Sequence, residues 1–179
     1  MKQAIAGVTP PELREATIMT VWPSLAAIAL GRGLGRLYTI GGGPPPFTFG
    51  HLIAVASIPV AVGLYFGRFI VELVRAMPGF GGMPMPIAGA QRYVLTNRRV
   101  VVRSGLTSVD QRWVALDRFD SITIEVRPGQ EWYRAGDLVF RLGAIETFRL
   151  AGVVRPDTFR RTCLEARQGF LGAEQALAG

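Results

Sequence analysis

Asn97-Arg98-Arg99 is the stretch of this sequence with the most direct chemistry. Two adjacent guanidiniums beside a turn-forming asparagine could grip a lipid phosphate or an anionic surface, because guanidinium donates hydrogen bonds in a planar fork that matches phosphate. The plainer use, which the sequence favours, is a hairpin in which Asn97 turns the chain and its neighbours solvate an edge strand. Arg98 and Arg99 are the candidate anion contact. Trp132-Tyr133-Arg134 forms a second cluster, the candidate interface. Amphipathic aromatics next to a cation suit a headgroup layer or a protein contact, and packing against neighbouring helices serves equally well. Reactive side chains are few. Cys163 is the one cysteine and His51 the one histidine, which leaves no internal disulfide, thiolate cluster or zinc ligand set. They lie far apart in sequence, so Cys163 lacks a base. The chain also lacks a Gly-x-Ser-x-Gly elbow, a His-Glu-x-x-His motif and a Gly-Lys-Ser/Thr phosphate loop. Gly31-Arg32-Gly33-Leu34-Gly35 falls short of a dinucleotide fingerprint and reads as a close-packing site or a turn. No catalytic residue, metal or cofactor is expected.

The elements that must position these residues change character along the chain. Apolar residues make up 49% of the sequence and charged ones 18%, against about a quarter charged in ordinary soluble domains. The apolar excess collects before Arg68. From Ala16 to Gly31 there is no charge, and Phe47 to Gly67 contains no acid or arginine. Both runs read as transmembrane helices, at about 14–38 and 47–74, with Arg32, Arg36 and Arg68 at their borders and with Pro23 and Pro59 inside them. The N-terminus, Met1 to Arg14, has mixed charge, unlike a basic leader, so the first helix is expected to be retained. Thr9-Pro10-Pro11-Glu12 reads as a helix start.

A Pro/Gly-rich linker follows at 77–87 and separates an anchor, 1–76, from a second unit, 88–179. There the period changes to two. Ile122, Ile124 and Val126 alternate with Thr123, Glu125 and Arg127, and similar runs occur at Tyr93–Thr96, Val100–Arg103, Arg112–Leu116, Leu138–Leu142 and Ile145–Leu150. Their close spacing predicts antiparallel hairpins. Phe159, Thr162, Cys163 and Ala166 then fall at i, i+3, i+4 and i+7, which predicts a terminal amphipathic helix covering the open end or edge of a bent sheet.

The stretch from Tyr93 to Gly105, followed by Val114-Ala115-Leu116-Asp117, resembles the opening of the bacterial pleckstrin-homology-like domains. Gly136–Phe140 and the passage through Pro156 into the last helix continue the likeness, which covers about Gln91 to Gln168. With the apolar runs, the resemblance implies an α+β chain: an N-terminal two-helix transmembrane hairpin, then a PH-like bent antiparallel sheet or small barrel of seven strands with a C-terminal capping helix. It implies an integral protein of the bacterial inner membrane, with the C-terminal domain cytoplasmic and, given two spans, the N-terminus on the same side.

Function follows as an expectation: a non-enzymatic, membrane-anchored binding or scaffold protein that recruits a protein or helps assemble a membrane complex. Anionic headgroup recognition is the alternative, and an accessory subunit packing on another integral protein is a third. The net charge of +7 is almost wholly arginine, Lys2 being the one lysine, and names no partner by itself. The bilayer and a protein partner are expected, nucleic acid is not, and a homo-oligomer is compatible with the sequence. The surface of the β domain discriminates among these readings. A basic concavity favours lipid, and an apolar groove favours a peptide or subunit.

Overall fold

The computed structural model describes residues 15–39, 49–79 and 89–178. The helix start at 9–12, the Gly/Pro loop at 41–46, most of the 77–87 linker and the side chain of His51 lie outside the described residues.

The first apolar run does not make one helix. Thr17–Val21 is a strand, β1, as its β-branched Thr17, Ile18, Thr20 and Val21 favour. Pro23 follows, and Ser24 caps a 3-10 turn at Leu25–Ala27 through its Oγ, which accepts from the Ala26 N–H at 3.2 Å. The helix α1 covers Ala29–Tyr38. At 1.5 Å per residue it is about 15 Å long, roughly half of a hydrocarbon core. The second run forms α2, Phe49–Ala56, and α3, Ile58–Ala76, broken at Ser57. Pro59 lacks the N–H that would continue the ladder there. Arg68, Glu72 and Arg75 occupy the second half of α3, and Arg68 and Glu72 are buried. No helix among the described residues is long and apolar enough to cross a membrane. This finding overturns the expected transmembrane hairpin, with its spans at about 14–38 and 47–74, and with it the placement as an integral membrane protein. Hydropathy reads an apolar run as one span, whereas β-branching, proline and charge divide these runs into shorter pieces.

β1 joins a sheet that is otherwise built from the second half of the chain. β2 (Gln91–Thr96), β3 (Arg99–Ser104) and β4 (Asp110–Ala115) extend it, in the order β1-β2-β3-β4. β5 (Ser121–Glu125), β6 (Ala135–Leu142) and β7 (Ile145–Val154) make a second sheet. Every pairing is antiparallel. Because Thr20 pairs with Val94 and Val21 with Tyr93, the sheet crosses the boundary drawn at the linker. Alternate residues face inward: Tyr93, Leu95, Val100, Val102 and Val114 from the first sheet meet Leu138, Phe140, Phe148 and Leu150 from the second. The Phe140 ring stands edge-on to Phe119 at 5.0 Å, a favoured aromatic geometry.

The last element, α4 (Pro156–Ala178), buries Phe159 and Cys163 completely and lays Leu164, Ala166 and Phe170 against the same core. The PH-like antiparallel sheet and C-terminal helix expected from the sequence are therefore present. α3 rests on the stem of β1: Arg68 Nη1 donates to the Ser24 carbonyl at 3.5 Å, and the Ala90 N–H donates to the Arg68 carbonyl at 3.0 Å. Its far side, with α2, exposes Leu52, Val55, Val62, Phe66, Ile70 and Leu73.

Candidate functional site

An open groove of about 1280 Å3 lies between the β1–β4 sheet and the second half of α4. Ile18, Trp113 and Ala115 line it from the sheet, Ala166, Gly169, Phe170, Ala173 and Ala176 from α4, and the Asn97–Arg99 turn adds to the lining. Register puts these sheet residues on the outer face. Thr20, Val94, Val101 and Trp113 stand in one cross-strand row, opposite in parity to Tyr93, Leu95, Val100 and Val102; Val94 and Val101 in the middle of the row are buried, and Trp113 at its β4 end is exposed. Trp113 is 57% exposed and Ile18 48%, so the groove offers apolar surface to a ligand, the kind of patch that marks an interaction site.

The structure separates the two candidate anion contacts. Arg99 grips Glu15 with two prongs, Nε to Oε1 at 2.7 Å and Nη2 to Oε2 at 3.0 Å, and reaches Asp110 Oδ2 at 3.2 Å. Asp110 also takes Arg103 Nε at 2.6 Å, and the Thr96 hydroxyl donates to Glu15 at 2.9 Å. Two carboxylates thus neutralise two guanidiniums. The Arg99 guanidinium holds the Glu15 carboxyl below the ordinary carboxylate range, and Glu15 in turn raises Arg99. The Arg99 guanidinium carbon lies 5.6 Å from the Trp113 ring centroid, within cation–π range. Arg98 is exposed at the turn and has no ion pair among the described residues. Its N–H donates to the Thr96 Oγ1 at 3.2 Å, which fixes the backbone and leaves the guanidinium to solvent.

Trp132 and Tyr133 sit in a 3-10 turn, Glu131–Tyr133, that packs on α1. The Tyr133 hydroxyl donates to the Gly31 carbonyl at 3.0 Å, and the Tyr38 ring lies 5.2 Å from Trp132 and 6.5 Å from Tyr133. Burial pushes the Tyr133 hydroxyl up to about 12. Arg134 is exposed in a left-handed conformation and ends the turn. These aromatics join α1 to the loop between β5 and β6. Gly35 on α1 serves the same contact: a Cβ there would collide with the Gly129 carbonyl.

Cys163 is inert in this setting, since burial raises its thiol well above the ordinary value. Among the described residues no group of three or more His, Cys, Asp or Glu is placed to hold a metal ion.

Of the residues that line the groove, the sequence singled out Arg98 and Arg99, as candidate anion contacts, and passed over Ile18, Trp113 and Phe170, which meet only through folding. One signal was available. Trp113 sits at the outward parity of β4, beside inward Val114, where a polar residue would serve solvation better. The family described as bacterial PH domain matches residues 47–167. The match takes in α2, α3 and the strands from β2 onward, while β1 and α1 precede it. No curated protein and no solved structure matches the chain.

Proposed function

Because the chain belongs to the bacterial PH domain family, a fold that generally binds without catalysing, we propose that it is a non-enzymatic binding or scaffold protein whose groove holds a segment of another protein. The observation that carries this reading is the character of the concavity. Its walls are mostly apolar, and one of the two arginines that line it, Arg99, is already satisfied by Glu15 and Asp110. A headgroup site needs converging donors free to meet phosphate, whereas a protein segment needs apolar anchors in a pocket with polar groups at the rim.

A photocrosslinking amino acid at Trp113 tests the reading in the cells from which the protein comes. The expected result is one discrete protein adduct, absent when the crosslinker stands at Val109, an exposed residue between β3 and β4 that does not line the groove. The adduct should also disappear when Ala173→Trp fills the groove. Adducts to lipid alone, or the same adduct from both positions, would overturn the reading.

A further inference from the structure

We infer that the occupant of the groove is an amphipathic α-helix of a partner protein, oriented by a carboxylate beside Arg98 and a cation beside Glu174. The inference rests on the protein-binding reading above and specifies its ligand.

Backbone accounting selects the helix. Trp113 and Ala115 look into the groove from the outer face of β4, where strands present side chains instead of ladder donors and acceptors. β4 is the last strand of its sheet, so its free ladder groups lie along its edge; an extended segment lying on the face instead would bury amide groups with no partner, and each unpaired group is costly. A helix satisfies its own backbone and presents only side chains.

The shape agrees. The α4 wall carries Ala166, Gly169, Ala173 and Ala176 at i, i+3, i+7 and i+10, all small, and a Cβ added at Gly169 would meet nothing within 4 Å. Small residues in a row permit axes to approach to about 8–10 Å. This wall is about 15 Å long at helical rise, enough for roughly three turns of a partner. Phe170 and Trp113 supply the aromatic anchors from the two sides.

Charge sets direction. Glu15, Arg99, Asp110 and Arg103 cancel one another inside their network. Arg98 on the turn and Glu174 on α4 line the groove without ion pairs among the described residues. A helix that sets an acid against Arg98 and a base against Glu174 is held in one orientation by these two charges, and exchanging the two sets like charges together.

A display library of randomised 14-residue peptides, selected on the full chain, is the probe. Enriched peptides are expected to place apolar residues at i, i+3 or i+4 and i+7, with an acid and a base each at a fixed position relative to that stripe. Their affinity should fall at least tenfold on Ala173→Trp, and Arg98→Glu should instead enrich a base at the position where the acid stood. Circular dichroism and a cooperative thermal transition check both variants. Arg98→Glu, at an exposed turn, carries the test alone if Ala173→Trp fails to fold. Period-two or proline-rich peptides that still depend on the groove would overturn the helical occupant and leave the protein-binding reading standing. Peptides indifferent to the charge exchange would overturn the orientation. No enrichment, or binders that tolerate a filled groove, would overturn both. Concentration-dependent dimerisation of the chain, abolished by Ala173→Trp, would assign the groove to a second copy and overturn the partner.

Discussion

Glu15 stands 84 positions from Arg99 in sequence and closes a two-pronged ion pair with it. The pair is half-buried, so it stabilises by about 1 kcal/mol, the upper end for exposed pairs. The Arg99 guanidinium lowers the folded pKa of Glu15 beneath its unfolded value. Folding therefore gains from the ionised form: the contribution is full above the ordinary carboxylate range and is lost as pH falls through the lowered pKa. Glu15→Gln should lower stability near neutrality, and its difference from the original chain should shrink on acidification, as read by chemical denaturation at stepped pH. A difference of constant size down to strongly acidic pH would mean that Glu15 acts by packing alone. Sequence reading placed Arg99 in a hairpin, where it favoured solvation of an edge strand and kept a phosphate contact as the alternative; an ion pair with a distant carboxylate was neither. The acid that satisfies it belongs to the edge of another strand, and no spacing rule joins residues so far apart. The burial of Asp137 was hidden for the same reason. It accepts from Gln130 Nε2 at 2.6 Å and the Gly152 N–H at 3.0 Å, partners from two separate segments.

Elements were legible where one periodicity ruled them. The paired strands from β2 to β7 follow the period-two runs, and Phe159 and Cys163 on α4 point inward as their i, i+4 spacing requires. β1 was hidden inside an apolar run although its β-branched residues were visible, because mean hydropathy over a long window outweighed five residues of local preference. α1 shows the same limit in its glycines, since spacing alone distinguishes neither their partners nor their sides. The structure does so, and the two sides predict opposite outcomes. Gly35 meets the Gly129 carbonyl and the Tyr133 ring, whereas Gly33 has nothing within 4 Å of an added Cβ. Gly35→Ala should push α1 off the β5–β6 loop and cost about 1–3 kcal/mol, the range for overpacking. Gly33→Ala should stabilise by about 0.5–1 kcal/mol by restricting the unfolded chain and favouring the helix. Thermal denaturation of both variants should move the midpoint in opposite directions. The opposite pattern, with Gly35→Ala raising the midpoint and Gly33→Ala lowering it, would show that α1 presents its other face to that loop.

At the scale of the whole molecule, two properties compete to set its response to membranes: a net charge of +7 and an apolar groove. Charge acts at a distance and without regard to headgroup. A guanidinium near an anionic surface contributes about 1 kcal/mol, about a fivefold change in binding, and salt screens it over roughly 8 Å at physiological strength. A built headgroup site would instead saturate and discriminate. The full chain should therefore bind anionic vesicles weakly and lose that binding as salt rises. Neutral vesicles measure any adsorption through the exposed apolar residues of α2 and α3, so the difference between the two vesicle types isolates charge. Arg98→Ala and Arg118→Ala make the decisive comparison. Both remove an exposed guanidinium, but Arg118 does not line the groove, and its side chain is 75% exposed and only 3.9 Å from Asp117 at closest. If charge alone operates, the two variants should lose similar amounts, each within a few-fold of the original chain. Tight, saturable binding to one anionic lipid, abolished by Arg98→Ala and untouched by Arg118→Ala, would make the turn at Arg98 a headgroup site and displace protein recognition as the better account of the groove.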